Sequence, residues 1–294
     1  IAGVINIITK KGGDRPVGGF GTVSYGSFNS FKGGAGINGT IKIVDYNIGY
    51  TRYQTDGISE AKDESGTGNF DIDGFSQNSF QANLGIKPIN ALVIKPFVRY
   101  SDFDGKYDAG AFTDDPLNTY KGKLLNIGAN AQYALQKGAL NLMYANDNTD
   151  RVFDGTYGKS EYKGRFNQAE LFFNYDLAKQ LQLLAGVSRQ TLKMLDTTSV
   201  EVDPTVTITS PYLSLFLHNM GGFVMELGAR YNNHSKYGDN FTYSFNPSYL
   251  IQRQLKLFFN LSTGFKAPSL YQLYGQYGAN PDLKPEKSNS IEGG

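Results

Sequence analysis

Strict alternation of apolar and polar residues recurs along nearly the whole chain. In "LLNIGANAQYAL" the set Leu125, Ile127, Ala129, Ala131, Tyr133 and Leu135 falls on one side, and Asn126, Gly128, Asn130 and Gln132 on the other. "FQANLGIK", "QAELFFNYD", "FVMELGARY" and "LKLFFNLS" repeat the pattern. A period of two is the signature of a strand with two unlike faces, and no window carries a helical stripe. The alternation predicts strands over 17–26, 30–40, 43–55, 75–87, 91–103, 122–135, 138–149, 163–176, 180–193, 205–218, 222–233, 241–251 and 255–265, with another starting near 287. Gly 35, Tyr 20 and Phe 20 in 294 residues agree with strands and turns.

The connections sort the possible β folds. Short turns are expected near 40–43, 87–90, 136–138, 176–180, 219–222 and 251–254. Longer loops are expected at 56–74, 104–121, 150–162, 194–204, 234–240 and 266–286. Short and long connections alternate, as when all the long loops leave one end of an up-and-down sheet. Most of these strands reach the ~9–11 residues that a tilted membrane strand needs. Tyr50, Tyr53, Tyr100, Tyr133, Tyr144, Tyr175 and Tyr231 gather toward strand ends, where interfacial girdles lie. A soluble sandwich or propeller accounts for the alternation but has no reason to segregate its loops. The fold expected is all-β: an antiparallel up-and-down transmembrane β-barrel.

Mild average hydrophilicity does not oppose this, because alternation averages out in a membrane barrel. No apolar run approaches the ~20 residues of a membrane-spanning helix. A formal charge of +1 gives no electrostatic case for nucleic acid. The absence of cysteine excludes disulfides, thiolate metal sites and cysteine nucleophiles. The chain opens at Ile1 with no basic leader, and reads as a piece of something longer.

Two stretches break the rhythm: "IAGVINIITKKGG" at 1–13 and "GFKAPSLYQLYGQYGANPDLKPEKS" at 264–288. Together, in this order with strands between, they resemble the TonB-dependent outer-membrane receptors. The resemblance implies that residues 1–13 are the C-terminal remnant of a plug domain. Residues 14–294 would be part of the barrel, about 14 of roughly 22 strands. It implies a bacterial outer-membrane receptor that takes up a scarce nutrient chelate by TonB-coupled transport. The expected partners are the TonB inner-membrane complex, a small metal chelate and outer-membrane lipid. Within the family the cobalamin-receptor type is nearest, so a corrinoid is the first ligand expected. A ferric siderophore or haem is the alternative, and a passive porin-type channel the alternative of another class. The late stretch, too irregular for helix or strand, would be an extracellular loop.

The sharpest chemical feature is acidic. "KDESGTGNFDIDGF" holds Asp63, Glu64, Asp71 and Asp73; "DFDGKYDAGAFTDDPLNTY" holds Asp102, Asp104, Asp108, Asp114 and Asp115. Oxygens from adjacent loops can converge on Ca²⁺, although neither stretch has EF-hand spacing. By the family resemblance, Asp71, Asp73, Asp108 and the carbonyl of Tyr107 are the candidate calcium ligands. Asn118 stands where the cobalamin-receptor type has an aspartate. Tyr107, Phe112, Tyr157, Tyr271 and Tyr274, aromatic residues of the long loops, are the candidate ligand contacts. "GTYGKS" at 155–160 lacks the first glycine of a phosphate loop. With only His218 and His234 available, no Ser-His-Asp set suggests itself, and the chain is not expected to be an enzyme. Lys95, Arg99, Glu170, Glu226, Arg230 and Lys256, on the polar faces, would line the lumen.

Overall fold

The computed structural model describes residues 12–66, 68–156, 158–195, 203–252 and 254–294. Fourteen strands dominate it: β1 (Gly18–Gly26), β2 (Ser30–Ile41), β3 (Val44–Thr55), β4 (Phe75–Ile89), β5 (Leu92–Lys106), β6 (Thr119–Leu135), β7 (Gly138–Gly155), β8 (Gly158–Ala178), β9 (Leu181–Leu195), β10 (Thr205–Met220), β11 (Phe223–His234), β12 (Gly238–Ile251), β13 (Leu255–Lys266) and β14 (Glu286–Gly293). The one helix among the described residues is α1 (Leu270–Tyr274). The strands are antiparallel and up-and-down, and follow one another in the sheet in chain order. Among the described residues no helix is long and apolar enough to cross a membrane. Two compact units divide the chain: residues 1–129 with 149–161, and residues 130–148 with 162–294.

Within the first unit the register sets Tyr50, Phe80 and Tyr100 side by side on β3, β4 and β5. Two residues further along, Arg52, Asn78 and Asp102 form the next row on the same face. Asn78 takes the Arg52 guanidinium at 3.0 Å on Oδ1 and donates Nδ2 to Asp102 at 3.1 Å. This face therefore changes from apolar to polar within one row. On the opposite face Arg99 donates to Asn126 at 3.0 Å.

The second unit repeats the division of faces. β12 carries Phe241, Tyr243, Phe245, Pro247 and Tyr249 on one side, paired with Tyr231, Ala229, Leu227, Met225 and Phe223 of β11. The other side reads Asn240, Thr242, Ser244, Asn246 and Ser248. There the Arg230 guanidinium donates to Ser188 at 2.7 Å and Tyr212 donates to Glu170 at 2.6 Å. Gly186 makes room for that pair, since a Cβ on it would come within 2.7 Å of the Tyr212 hydroxyl.

What is missing is an interior of the usual kind. The buried hydrophobic residues described are Ala61, Ala139, Met194, Val206 and Leu273. Leu142, Leu171, Val187, Leu213, Leu227 and Leu257 are all exposed. A soluble sandwich would bury that face between its sheets; here, among the described residues, it is left exposed. Contiguous exposed apolar surface on this scale marks contact with lipid or with another protein.

The loops correct the sequence expectation in three places. The region 150–162 is not a long loop, because β7 continues to Gly155 and β8 begins at Gly158. Its residues alternate without an apolar stripe, so the pattern that reveals membrane strands does not reveal their polar extensions. The region 234–240 is a tight turn at 235–237, entered from β11 and left through Gly238 at φ +68. The loop expected at 104–121 shortens to 107–118. Loops 56–74 and 267–285 are long, as expected. The 1–13 segment falls almost wholly outside the described residues; the Gly13 carbonyl accepts from the Thr40 hydroxyl at 2.9 Å.

Candidate metal centre and ligand-facing loops

Loops 56–74 and 107–118 spring from the neighbouring hairpins β3–β4 and β5–β6 and are stitched together above them. Gly57, at φ +73, allows the first loop to fold back on itself: a Cβ there would lie 2.2 Å from the Asp73 carbonyl oxygen. The Asp73 amide then reaches the Ile58 carbonyl at 3.1 Å, and its Oδ2 accepts the Glu60 amide at 2.7 Å. Asp108 joins the loops. Its Oδ2 accepts the Ala61 amide at 2.6 Å and the Ser59 hydroxyl at 3.1 Å, while its Oδ1 accepts the Asp115 amide at 3.0 Å. The Asp71 amide donates to Asp114 Oδ1 at 2.9 Å, and the Lys62 amide to the Ala111 carbonyl at 2.8 Å.

This stitching gathers negative charge. Carboxylate oxygens of Asp71, Asp108 and Asp114 lie within 4.8 Å of one another. Asp73, 8% exposed, stands beside them. Lys106 reaches Asp71 Oδ2 at 2.9 Å. Asp71 Oδ1 and Asp73 Oδ1 are buried with no hydrogen-bond partner. Burial pushes the Asp73 carboxyl above the usual carboxylate range against the Glu60 amide, helped by the Asp108 and Asp71 charges. Burial raises Asp114 as well, with Asp71 adding to it. At Asp108 burial acts upward too, but the Asp115 and Ala61 amides and the Ser59 hydroxyl outweigh it and hold that carboxyl low.

The donor set fits a hard divalent cation. It is all oxygen and rich in carboxylate, and two of its buried oxygens lack the partner that a buried acceptor needs. Of the residues singled out in the sequence, Asp71 and Asp108 lie in the cluster, with Asp73 next to them. Asp114, read only as one loop acid among five, joins them by accepting the Asp71 amide. Adjacent acids in a loop give no sign of which one turns inward. Asn118 is buried, with its Oδ1 packed against Gly155 of β7. Its carbonyl accepts the Tyr107 amide at 3.3 Å.

The aromatic candidates are spread over both units. Tyr107 belongs to a run of rings, Tyr53, Phe75, Phe103, Tyr120, Tyr107 and Phe153, in which successive centroids lie 5.8–6.2 Å apart. Phe112 is exposed at the tip of loop 107–118. Tyr157 lies outside the described residues. Tyr271 and Tyr274 belong to α1, a helix within the stretch whose sequence looked too irregular for one. Ser269 and Gln272 cap it reciprocally, and the fully buried Leu273 anchors it. A single turn is too short for a periodic pattern, but Ser-x-x-Gln is a legible start signal. The Tyr271 ring lies 6.1 Å from that of Tyr162, and Tyr274 accepts a hydrogen bond from Lys236 at 2.9 Å.

Residues 14–294 match the family described as TonB dependent receptor-like, beta-barrel. The chain belongs to the TonB-dependent receptor family. It is 28% identical over 298 residues to the vitamin B12 transporter BtuB of Photobacterium profundum, covering 99% of this chain and 47% of that one. The ferric enterobactin receptor PfeA of Pseudomonas aeruginosa superposes with a TM-score of 0.79 at 17% identity, over 99% of this chain and 53% of its own. The siderophore receptor PirA of Acinetobacter baumannii gives 0.75 at 18%, over 98% of this chain and 51% of its own. At those identities the likeness is one of fold. The chain spans about half the length of these relatives. As part of a TonB-dependent receptor it is an outer-membrane chain. In barrels of this kind an outward apolar band meets lipid and the longer loops lie on the extracellular side.

Proposed function

We propose that the protein containing this chain is a receptor that captures a corrinoid outside the cell and takes it up by TonB-coupled transport. The observation that carries the ligand assignment is the oxygen cluster of Asp71, Asp108 and Asp114 with the orphaned oxygen of Asp73. It lies in a chain aligned over nearly its whole length with a vitamin B12 transporter. In this reading Ca²⁺ binds those carboxylates, with the Tyr107 carbonyl as a further donor; Asn118, whose Oδ1 lies against Gly155, would have to turn to join them. The ion would offset the charge that now faces itself across the two loops and would fix them in one conformation. Tyr107, Phe112, Tyr157, Tyr271 and Tyr274 would then offer ring faces to the ligand. Nothing in this role requires bond-making by the protein, and the chain acts as a binding and transport element.

The ferric siderophore reading uses the same architecture, as the likeness to PfeA and PirA supports. Binding of cyanocobalamin and of a ferric catecholate to the full-length receptor in detergent separates the two. The corrinoid should bind in calcium and weaken with chelator. Binding of the ferric catecholate alone would replace the corrinoid reading with the siderophore one. Corrinoid binding indifferent to chelation would remove the metal. A steady open conductance of the full-length protein would instead indicate a passive channel.

A further inference from the structure

The turn between β11 and β12 is built on a buried histidine. His234 is the last residue of β11, three beyond the aromatic Tyr231, and is 3% exposed. Its Nδ1 accepts two backbone N–H groups, from Lys236 at 3.1 Å and from Tyr237 at 3.3 Å. The imidazole lies against the Tyr237 ring with centroids 4.9 Å apart. Ser235, between them, is fixed to β10: its amide donates to the Thr207 carbonyl at 2.9 Å, and its hydroxyl accepts the Thr207 amide at 3.0 Å.

The two residues whose amides hang from that nitrogen also tie down segment 267–285, beside the buried Leu273 and the Tyr162 contacts with Tyr271 and Gln276. Lys236 Nζ donates to the Tyr274 hydroxyl at 2.9 Å and lies 5.0 Å from the centre of its ring. The Tyr237 hydroxyl donates to the Leu283 carbonyl at 2.8 Å. One tie falls at the end of α1 and the other close to β14, so the segment is fastened at both ends of its middle stretch.

Nδ1 can accept these bonds only while it carries no proton. Protonated, it would direct an N–H at two other N–H groups, and both amides of this part-buried turn would lose the acceptor that holds them in place. The titratable groups nearest the ring are Tyr237, which packs on it, and Lys236, whose ammonium turns instead to Tyr274. Ile208 of β10 and Gly238 of β12 stand opposite His234 in register and bring no charge. The carboxylate nearest in sequence, Asp239, is engaged by Asn233 at 2.7 Å.

We propose that His234 is a proton-operated latch: its neutral ring organises the turn that pins segment 267–285, and protonation lets that segment go. Because Nδ1 must be unprotonated to accept the Lys236 and Tyr237 amides, the turn's contribution is complete while the ring is neutral and is lost as pH falls and the ring takes up a proton. The segment is therefore held at neutral pH and released in acid, whatever ligand the receptor carries.

Hydrogen exchange of the full-length receptor in detergent tests this, with rates corrected for intrinsic pH dependence. Amides of 267–285 should exchange about tenfold faster at about pH 5 than at about pH 8, the order expected from losing two part-buried hydrogen bonds. In H234N the amide oxygen accepts the same two N–H groups at any pH, and the acceleration should vanish. In Y237F the tie to Leu283 is gone, and exchange should be fast at both pH values. A wild-type segment equally protected across the range overturns the proposal, even if H234N fails to assemble. So does an H234N receptor that responds to acid as the wild type does.

Discussion

The Asp108 carboxylate accepts the Ala61 backbone amide at 2.6 Å, and through that bond two loops from different hairpins share one anchor. The same carboxylate supplies an oxygen to the acidic cluster. Asp108 is thus asked to hold the loops together and to face Asp71 and Asp114. Without a cation the second task opposes the first.

Asp108→Asn weakens both roles at once. The amide keeps one acceptor oxygen but turns an NH₂ toward backbone donors. Leaving a buried donor unmatched costs about 1–3 kcal/mol. Calcium affinity measured by titration calorimetry should fall at least tenfold, and loops 56–74 and 107–118 should become more accessible to protease. Calcium binding as tight as in the wild type would show that the cluster is not the ion's site.

The pH response should reverse between the apo and the calcium-loaded protein. Asp73 is raised above the ordinary aspartate value of 3.8, so its folded form holds the proton better than the unfolded chain does. Acidification through that raised value therefore stabilises the apo loops. Asp108 is held low, and its contribution is lost only as pH falls below 3.8. Protection of the apo loops should thus increase on mild acidification and then decline. With calcium present it should only decline, because a protonated carboxyl is no longer a ligand. Amide exchange in loops 56–74 and 107–118, with and without chelator, reads both curves.

Gly57→Val attacks the fold of the first loop without touching a carboxylate. Valine at φ +73 is strained, and its Cβ would collide with the Asp73 carbonyl oxygen. Strain of this kind costs about 1–3 kcal/mol. Calcium affinity should drop and loop 56–74 should be cut faster, while heat resistance of the strands stays unchanged. A wild-type calcium isotherm in this variant would mean that Asp73 is placed by something other than this tight return.

How much of this was legible follows from what each residue is paired against. The strands through lipid were readable because lipid imposes an apolar residue at every second position, as in Leu125, Ile127 and Ala129. Past the lipid edge that demand ends, which is why β7 and β8 run on through residues that read as a loop. The short turns were readable because they interrupt the alternation by only a few residues. Asp71 and Asp108 were named through a family resemblance, whereas Asp114 depended on the other loop's backbone placing the Asp71 amide against it. His234 carried no signal in sequence, since its role rests on amides two and three residues ahead folding back onto its ring.

The assignment of faces is the premise most open to a direct test. Leu227 pairs with Phe245 on the exposed apolar side, while Asn246, one residue on, opposes Glu226 on the polar side. If the apolar side meets lipid, Leu227→Arg places a charge in hydrocarbon at a cost of about 2–4 kcal/mol near the midplane. Asn246→Arg places the same charge against water and a carboxylate and should cost little. Yield of the heat-modifiable, membrane-inserted receptor on unheated gels measures the difference. The Leu227 variant should assemble poorly and the Asn246 variant as well as the wild type. Equal assembly of the two, or the opposite order, would mean that the apolar face is covered by protein, and the strands would then have to be placed in a different surrounding.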